Sequence, residues 1–309
     1  MRKFIINIST FSAVAIILLA IIELSLLFVP NTYSYKRNYL ETHINDIKIL
    51  LMGSSYIEEG LCPELISDSC FNLAISGRNI VYDAEIARKY FSRMDNLEIV
   101  VLPLDYFKFE FGRGENNTLD KRIDFGRFTD TYRCMHYKYM NLHVDGFWIW
   151  SEILNSRLNF LARFWKHSHE NVECDSLGFV ALSLDNRQSD WMYRSLPPIV
   201  DLSKEIDYDA FELYWPYIEA IADCTNKNGI KLMLVEIPKY KTFQSFINDD
   251  VVHEKNELIT KLKERFKNVV YYDYTYCKDF DEDDFYDACH LSDIGAKKFS
   301  NMIREKIAN

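Results

Sequence analysis

Five short, continuously apolar runs constrain this chain more than any other feature: Ile47–Met52, Cys70–Ile75, Leu97–Leu102, Ile230–Ile237 and Val269–Tyr274. Each is of strand length, and none alternates apolar with polar residues, which is the pattern of strands covered on both faces. Helical repeats with apolar positions three and four residues apart separate or follow them, over 80–94, 208–228, 253–268 and 292–307. Strands alternating with helices predict an α/β fold, a doubly wound five-stranded parallel sheet. Residues 106–203, between the third and fourth runs, fit no strand-helix repeat and are rich in aromatics, among them Phe147-Trp148-Ile149-Trp150 and Trp191-Met192-Tyr193. Residues 144–166 read as an amphipathic helix. A long insertion after a strand's carboxyl end is expected to roof a crevice there, while most of its aromatics suit a satellite core. With no Gly/Ser linker and no internal repeat, residues 46–309 read as one domain carrying the insertion 106–203.

The N-terminus carries no charge from Phe4 to Ile22, and after Glu23 the apolar run continues to Val29. That length predicts a transmembrane anchor over 4–29, followed by a polar stalk over 30–45. Arg2 and Lys3 before it place the N-terminus in the cytoplasm and the rest of the chain outside, as a single-pass membrane protein. A cleaved signal peptide is the rival reading, but its apolar region is usually shorter and ends in a small-residue site. Glu23 reads as an interfacial residue.

A formal charge of −10 over 309 residues argues against nucleic acid and against an anionic membrane surface as partners, since both reward clustered Lys and Arg. Seven cysteines include no C-x-x-C pair, so neither a zinc ribbon nor a thioredoxin-like site is expected, although Cys62 and Cys70 could pair in an oxidising exterior. Cys134 with His136, and His167 with His169, lack the further ligands that a metal site needs, and no metal is expected. The acidic run Asp279–Asp284 lacks the glycine turn and distal glutamate of an EF-hand loop. No G-x-G-x-x-G or phosphate loop is present, so no cofactor is expected.

The chemistry gathers in two blocks. Met52-Gly53-Ser54-Ser55 ends the first strand, where a strand-to-helix turn can present a hydroxyl at the sheet's carboxyl edge. Asp287-Ala288-Cys289-His290 precedes the last helix, with a carboxylate three residues before an imidazole. A serine needs a base to become a nucleophile, and the base needs a carboxylate to fix its tautomer, so Ser55, His290 and Asp287 together predict a catalytic triad. Ser54 is the alternative nucleophile. The α/β-hydrolase elbow G-x-S-x-G is absent, because Gly53-Ser54-Ser55-Tyr56-Ile57 lacks its last glycine.

These blocks resemble the SGNH (GDSL-like) hydrolase superfamily over roughly residues 46–105 and 205–309. Gly53-Ser54-Ser55 stands at the family's nucleophile block, Asn72-Leu-Ala-Ile-Ser-Gly77 at its second, Leu102-Pro-Leu-Asp105 at its third and Asp287-Ala-Cys-His290 at its last. The resemblance implies a flavodoxin-like sheet, Ser55 as nucleophile, His290 as general base and acid, and Asp287 as its orienter. It also implies an oxyanion hole built from the amides of Ser55 and Gly77. The family's third donor is an asparagine; here the position is Asp105, which cannot donate unless protonated. Asn79 or Arg78 replacing it, Asp105 kept neutral by burial, and a weak site are the three explanations, and Arg78 and Asn79 are carried as candidate substrate-binding residues.

Membrane-anchored members of that superfamily include proteins that acetylate exopolysaccharides and others that assist D-alanine transfer to teichoic acids. The resemblance therefore implies an extracytoplasmic O-acyl esterase or O-acyltransferase acting on a cell-surface polysaccharide through an acyl-serine, with a membrane O-acyltransferase as donor if it transfers. A non-catalytic polysaccharide-binding or assembly protein that keeps the fold is the second reading, and an anchored, unrelated flavodoxin-like domain the third. Whether Arg187 or Arg194 meets an anionic substrate stays open.

Overall fold

The computed structural model describes residues 2–26, 32–78, 80–104, 172–196 and 209–308. The chain divides into two compact units, one of residues 1–35 and 128–173, the other of residues 36–127 and 174–309.

In the first unit, helix α1 runs over Arg2–Leu26. No helix among the described residues is long and apolar enough to cross a membrane, which corrects the expected anchor over 4–29 and the single-pass localisation that depended on it. The uncharged run is real, but Asn7, Ser9, Thr10 and Ser12 interrupt its first half. Thr10 turns its hydroxyl back onto the carbonyl of Ile6, at 2.9 Å. A span needs about 20 consecutive, predominantly apolar residues, and absence of charge alone does not supply them. Helix α2, Thr32–Thr42, covers part of the expected stalk.

The second unit holds the sheet. Strands β1 (Ile49–Leu51), β2 (Cys70–Asn72), β3 (Ile99–Pro103), β4 (Lys231–Glu236) and β5 (Val269–Asp273) pair in the order β2-β1-β3-β4-β5. Every pairing is parallel; Leu50 sits opposite Phe71 on one side and Val100 on the other. These are the five apolar runs of the sequence, shortened by one to three residues. Leu50, Leu51, Val100, Val101, Leu102, Leu232, Met233, Leu234 and Val235 are wholly buried, as strands covered on both faces must be. The edge strand β5 is more open, with Asp273 exposed at its end.

Helices supply the cover: one-turn α3 (Ser55–Glu58), α4 (Ile80–Tyr90), α5 (Asp209–Lys227), short α6 (Lys241–Gln244), α7 (Asp249–Arg265) and α8 (Asp293–Ala308). Helices α4 and α5 pack against each other. Because the chain leaves β1 toward β2 on one side and later returns to β3 on the other, the order reverses at β1, and a crevice opens beyond the carboxyl ends of β1 and β3. Most of the insertion 106–203 lies outside the described residues; only 172–196 can be placed.

Candidate active site

Strand β1 delivers the chain to the crevice through Gly53, whose φ is 114°. A Cβ there would stand 2.3 Å from Pro103 Cδ at the end of β3, so a side chain is barred both by backbone and by space. Ser54 then precedes α3 with an extended backbone, and Ser55 is the helix's first residue. This sharp reversal lifts Ser55 to the sheet edge, partly exposed, while Ser54 is buried.

Ser55 Oγ lies 3.0 Å from His290 Nε2. His290 Nδ1 lies 2.9 Å from both carboxylate oxygens of Asp287. A serine 235 positions away from the histidine and a carboxylate three residues before it thus form one relay from hydroxyl to imidazole to carboxylate. The Asp287–His290 turn builds its own half: Asp287 Oδ1 accepts the backbone N–H of Cys289 at 2.9 Å and of His290 at 2.8 Å. Gly295 lets the following helix come close, since a Cβ there would meet the Asp284 carbonyl oxygen at 2.0 Å.

Burial disfavours the ionised form of Asp287, but the hydrogen bond and charge of His290 outweigh it, and the carboxyl is held down at about 2. Burial likewise opposes the charge on His290; the Cys289 sulfur and the Asp287 carboxylate overcome that opposition and hold the imidazole well above its ordinary range. Cys289 Sγ stands 3.3 Å from His290 Nδ1. Asp287, Cys289 and His290 are the one group among the described residues with metal-ligating atoms gathered, all within 4.8 Å. A cation there would have to displace the Nδ1 proton that Asp287 accepts, so that use and the relay exclude one another.

Beside Ser55, the loop after β2 makes a turn closed by the Arg78 N–H donating to the Ile75 carbonyl at 3.0 Å, with Gly77 at φ 71°. Ser76 fastens this turn to α3. Its amide and hydroxyl both donate to Glu58 Oε2, and its hydroxyl also reaches Glu59 Oε1 at 2.8 Å. Glu58 is neutralised by the wholly buried Lys36 of α2, Nζ to Oε1 2.7 Å. Lys36 also donates to the Ala74 carbonyl. Asn72 completes the frame: its side-chain amide donates to the carbonyls of Ile57 at 2.8 Å and Leu61 at 3.0 Å, and its oxygen accepts the Ala74 amide at 3.1 Å. Burial pushes the Glu59 carboxyl up, with the charge of His290 partly countering it. On the far side, Lys239 donates to the Cys289 carbonyl at 3.1 Å and lies 3.1 Å from the centroid of Tyr56, whose ring tilts against that of His290.

The remaining sequence candidates separate. Asp105 and Asn79 lie outside the described residues, as do Cys134, His136, His167 and His169. Arg78 is wholly buried, with Nε 3.1 Å from Asp83 Oδ1 and a second nitrogen donating to the Leu73 carbonyl at 2.7 Å, so its guanidinium braces the loop rather than facing the crevice. Arg187 stacks on Trp191 and donates to the carbonyls of Glu282 at 2.7 Å and Phe285 at 2.9 Å, and exposed Arg194 pairs with Asp190. Cys62 and Cys70 hold free thiols, as do the other described cysteines. Lys36, Glu58 and Ser195 were not identified from sequence, and Asn72 and Ser76 stood in the second block without a role of their own. A helical spacing joining buried Lys36 to buried Leu40 was present as a signal; nothing pointed to Ser195, whose hydroxyl donates to Asp287 Oδ2 at 2.7 Å.

No family model matches the chain, and no curated protein does. Among solved structures, it is similar to "a putative platelet activating factor from Streptococcus pneumonia", at 12% identity and a TM-score of 0.44, over 96% of this chain and 99% of that one.

Proposed function

We propose that this protein is a serine-dependent O-acyl esterase or acyltransferase that works through an acyl-serine. The observation that carries this reading is the unbroken relay from Ser55 Oγ to His290 Nε2 at 3.0 Å and from His290 Nδ1 to Asp287 at 2.9 Å. In the proposed reaction, His290 Nε2 takes the Ser55 proton as Oγ attacks an ester carbonyl, and Asp287 holds the imidazolium that forms. The amides of Ser55 and Gly77 are the proposed donors to the tetrahedral oxyanion, each worth on the order of 3 kcal/mol. Collapse expels the alcohol, which recovers the proton from Nε2, and leaves the acyl group on Ser55. Water, activated by the same imidazole, then releases the acid and restores the serine; a sugar hydroxyl in its place gives transfer. Acyl esters of a polysaccharide are the proposed substrate class, and only the sequence resemblance supports that finer statement.

Fluorophosphonate labelling of the intact chain, with the modified peptide located by mass spectrometry, tests the reading. Labelling at Ser55 that disappears in His290→Ala supports it. A folded protein that stays unlabelled sinks it and leaves the binding or assembly role as the better account of the fold.

A further inference from the structure

We propose that Ser195 is a fourth member of this constellation, a positioning residue that fixes the plane of the Asp287 carboxylate; the inference deepens the serine-hydrolase reading and rests on it. Asp287 Oδ1 is pinned by two amides of its own turn, those of Cys289 and His290. Those bonds leave rotation about the Cβ–Cγ bond soft, because torsions ending in a planar group have broad minima. The hydroxyl of Ser195, 2.7 Å from Oδ2, holds the other oxygen and so sets the plane in which the carboxylate meets His290 Nδ1.

The backbone around Ser195 points the same way. Its φ of 55° is the single positive value of a non-glycine among the described residues. Serine has no special tolerance for that region, and the side chain is exposed, so no burial demand explains it. Such a conformation persists where the surroundings over-determine it. Here the segment before it is laid along the catalytic turn by bonds on both sides: Asp293 N–H to the Leu182 carbonyl at 2.9 Å, the Tyr286 hydroxyl to the Asn186 carbonyl at 3.2 Å, and Arg187 to the carbonyls of Glu282 and Phe285. The Ala288 amide donates to the Arg194 carbonyl at 3.3 Å, one residue before Ser195. The end of the insertion therefore serves as a splint for the Asp287–His290 turn, and the strained residue is the one that reaches the carboxylate.

Three substitutions separate hydroxyl from strain. Ser195→Ala removes the donor and keeps the unfavourable backbone; Ser195→Gly removes the donor and relieves it; Ser195→Asn keeps a donor on a residue that favours this backbone region. Ala and Gly are each expected to slow fluorophosphonate labelling of Ser55 roughly tenfold, the scale of one hydrogen bond to a charged group, and Asn to recover most of the rate. The second readout needs no turnover: the pH titration of His290 followed by NMR at its Cε1–H. Loss of positioning weakens the Nδ1 bond, so the midpoint is expected to fall by about half a unit in Ala and Gly and to stay near wild type in Asn.

A rate restored by Gly would assign the effect to backbone strain and overturn the proposal. So would an unchanged or raised His290 midpoint, because a raised one means that Ser195 only draws charge from the carboxylate. A wild-type chain that titrates as expected but never labels would refute the hydrolase reading and still leave Ser195 holding Asp287.

Discussion

The two turns that meet at the site are supported in different ways. The Ser55 turn is held from within the sheet: Gly53 lies against Pro103, Asn72 of β2 grips the carbonyls of α3, and the buried Lys36–Glu58 pair fastens the neighbouring loop. The Asp287–His290 turn is held by hydrogen bonds from elsewhere in the chain: residues 182–195 are laid along it, and Lys239 and the Tyr240 amide donate to the Cys289 and Ala288 carbonyls. The position of Ser55 follows from strand topology and buried charge. The position of His290 rests on hydrogen bonds from segments distant in sequence rather than on a buried ion pair like Lys36–Glu58.

The largest expected effect is common to both turns. His290→Ala removes the proton acceptor they share and should lower the rate of Ser55 labelling by about a thousandfold or more; it should also lower the melting temperature, because buried Asp287 loses the partner that offsets its burial. Next, Lys36→Met should cost about 3–5 kcal/mol in urea unfolding, because it leaves the Glu58 carboxylate buried without its charge partner. On the opposite turn, Arg187→Ala removes two donors to Glu282 and Phe285 and should cost only about 1–2 kcal/mol. Equal losses in the two variants would erase the distinction between a charge-anchored and a splinted turn.

The smallest effects are those of pH. Labelling requires neutral His290, and its pKa is raised, so the rate should climb as pH rises above the ordinary histidine range. Stability moves the other way: the contribution of His290 is complete below its unfolded value and is lost as pH rises through the folded one. The depressed carboxyl of Asp287 contributes above its unfolded value of 3.8 and loses that contribution as pH falls toward about 2. A labelling rate flat across the alkaline range would break the assignment of His290 as base.

The strands and the two blocks that meet at the candidate site were legible because their signals are local. An apolar run ending in Gly-Ser-Ser, and a carboxylate three residues before a histidine, each carry their meaning within a few positions. Lys36 was not legible: a lysine reads as solvated until its partner, Glu58, is known to lie within 2.7 Å. Ser195 gave no signal at all, since an exposed serine in an aperiodic segment becomes informative only through its φ and its bond to a residue 92 positions away. The N-terminal reading failed for a different reason. A run of that length predicts a span only if it is apolar enough, and Asn7, Ser9, Thr10 and Ser12 populate this one.

One oxygen of Glu58 takes the ammonium of Lys36 and the other takes Ser76, next to Gly77, while its backbone belongs to the same helical turn as Ser55. The Ser55 hydroxyl and the proposed oxyanion amide are thus both tied to one carboxylate.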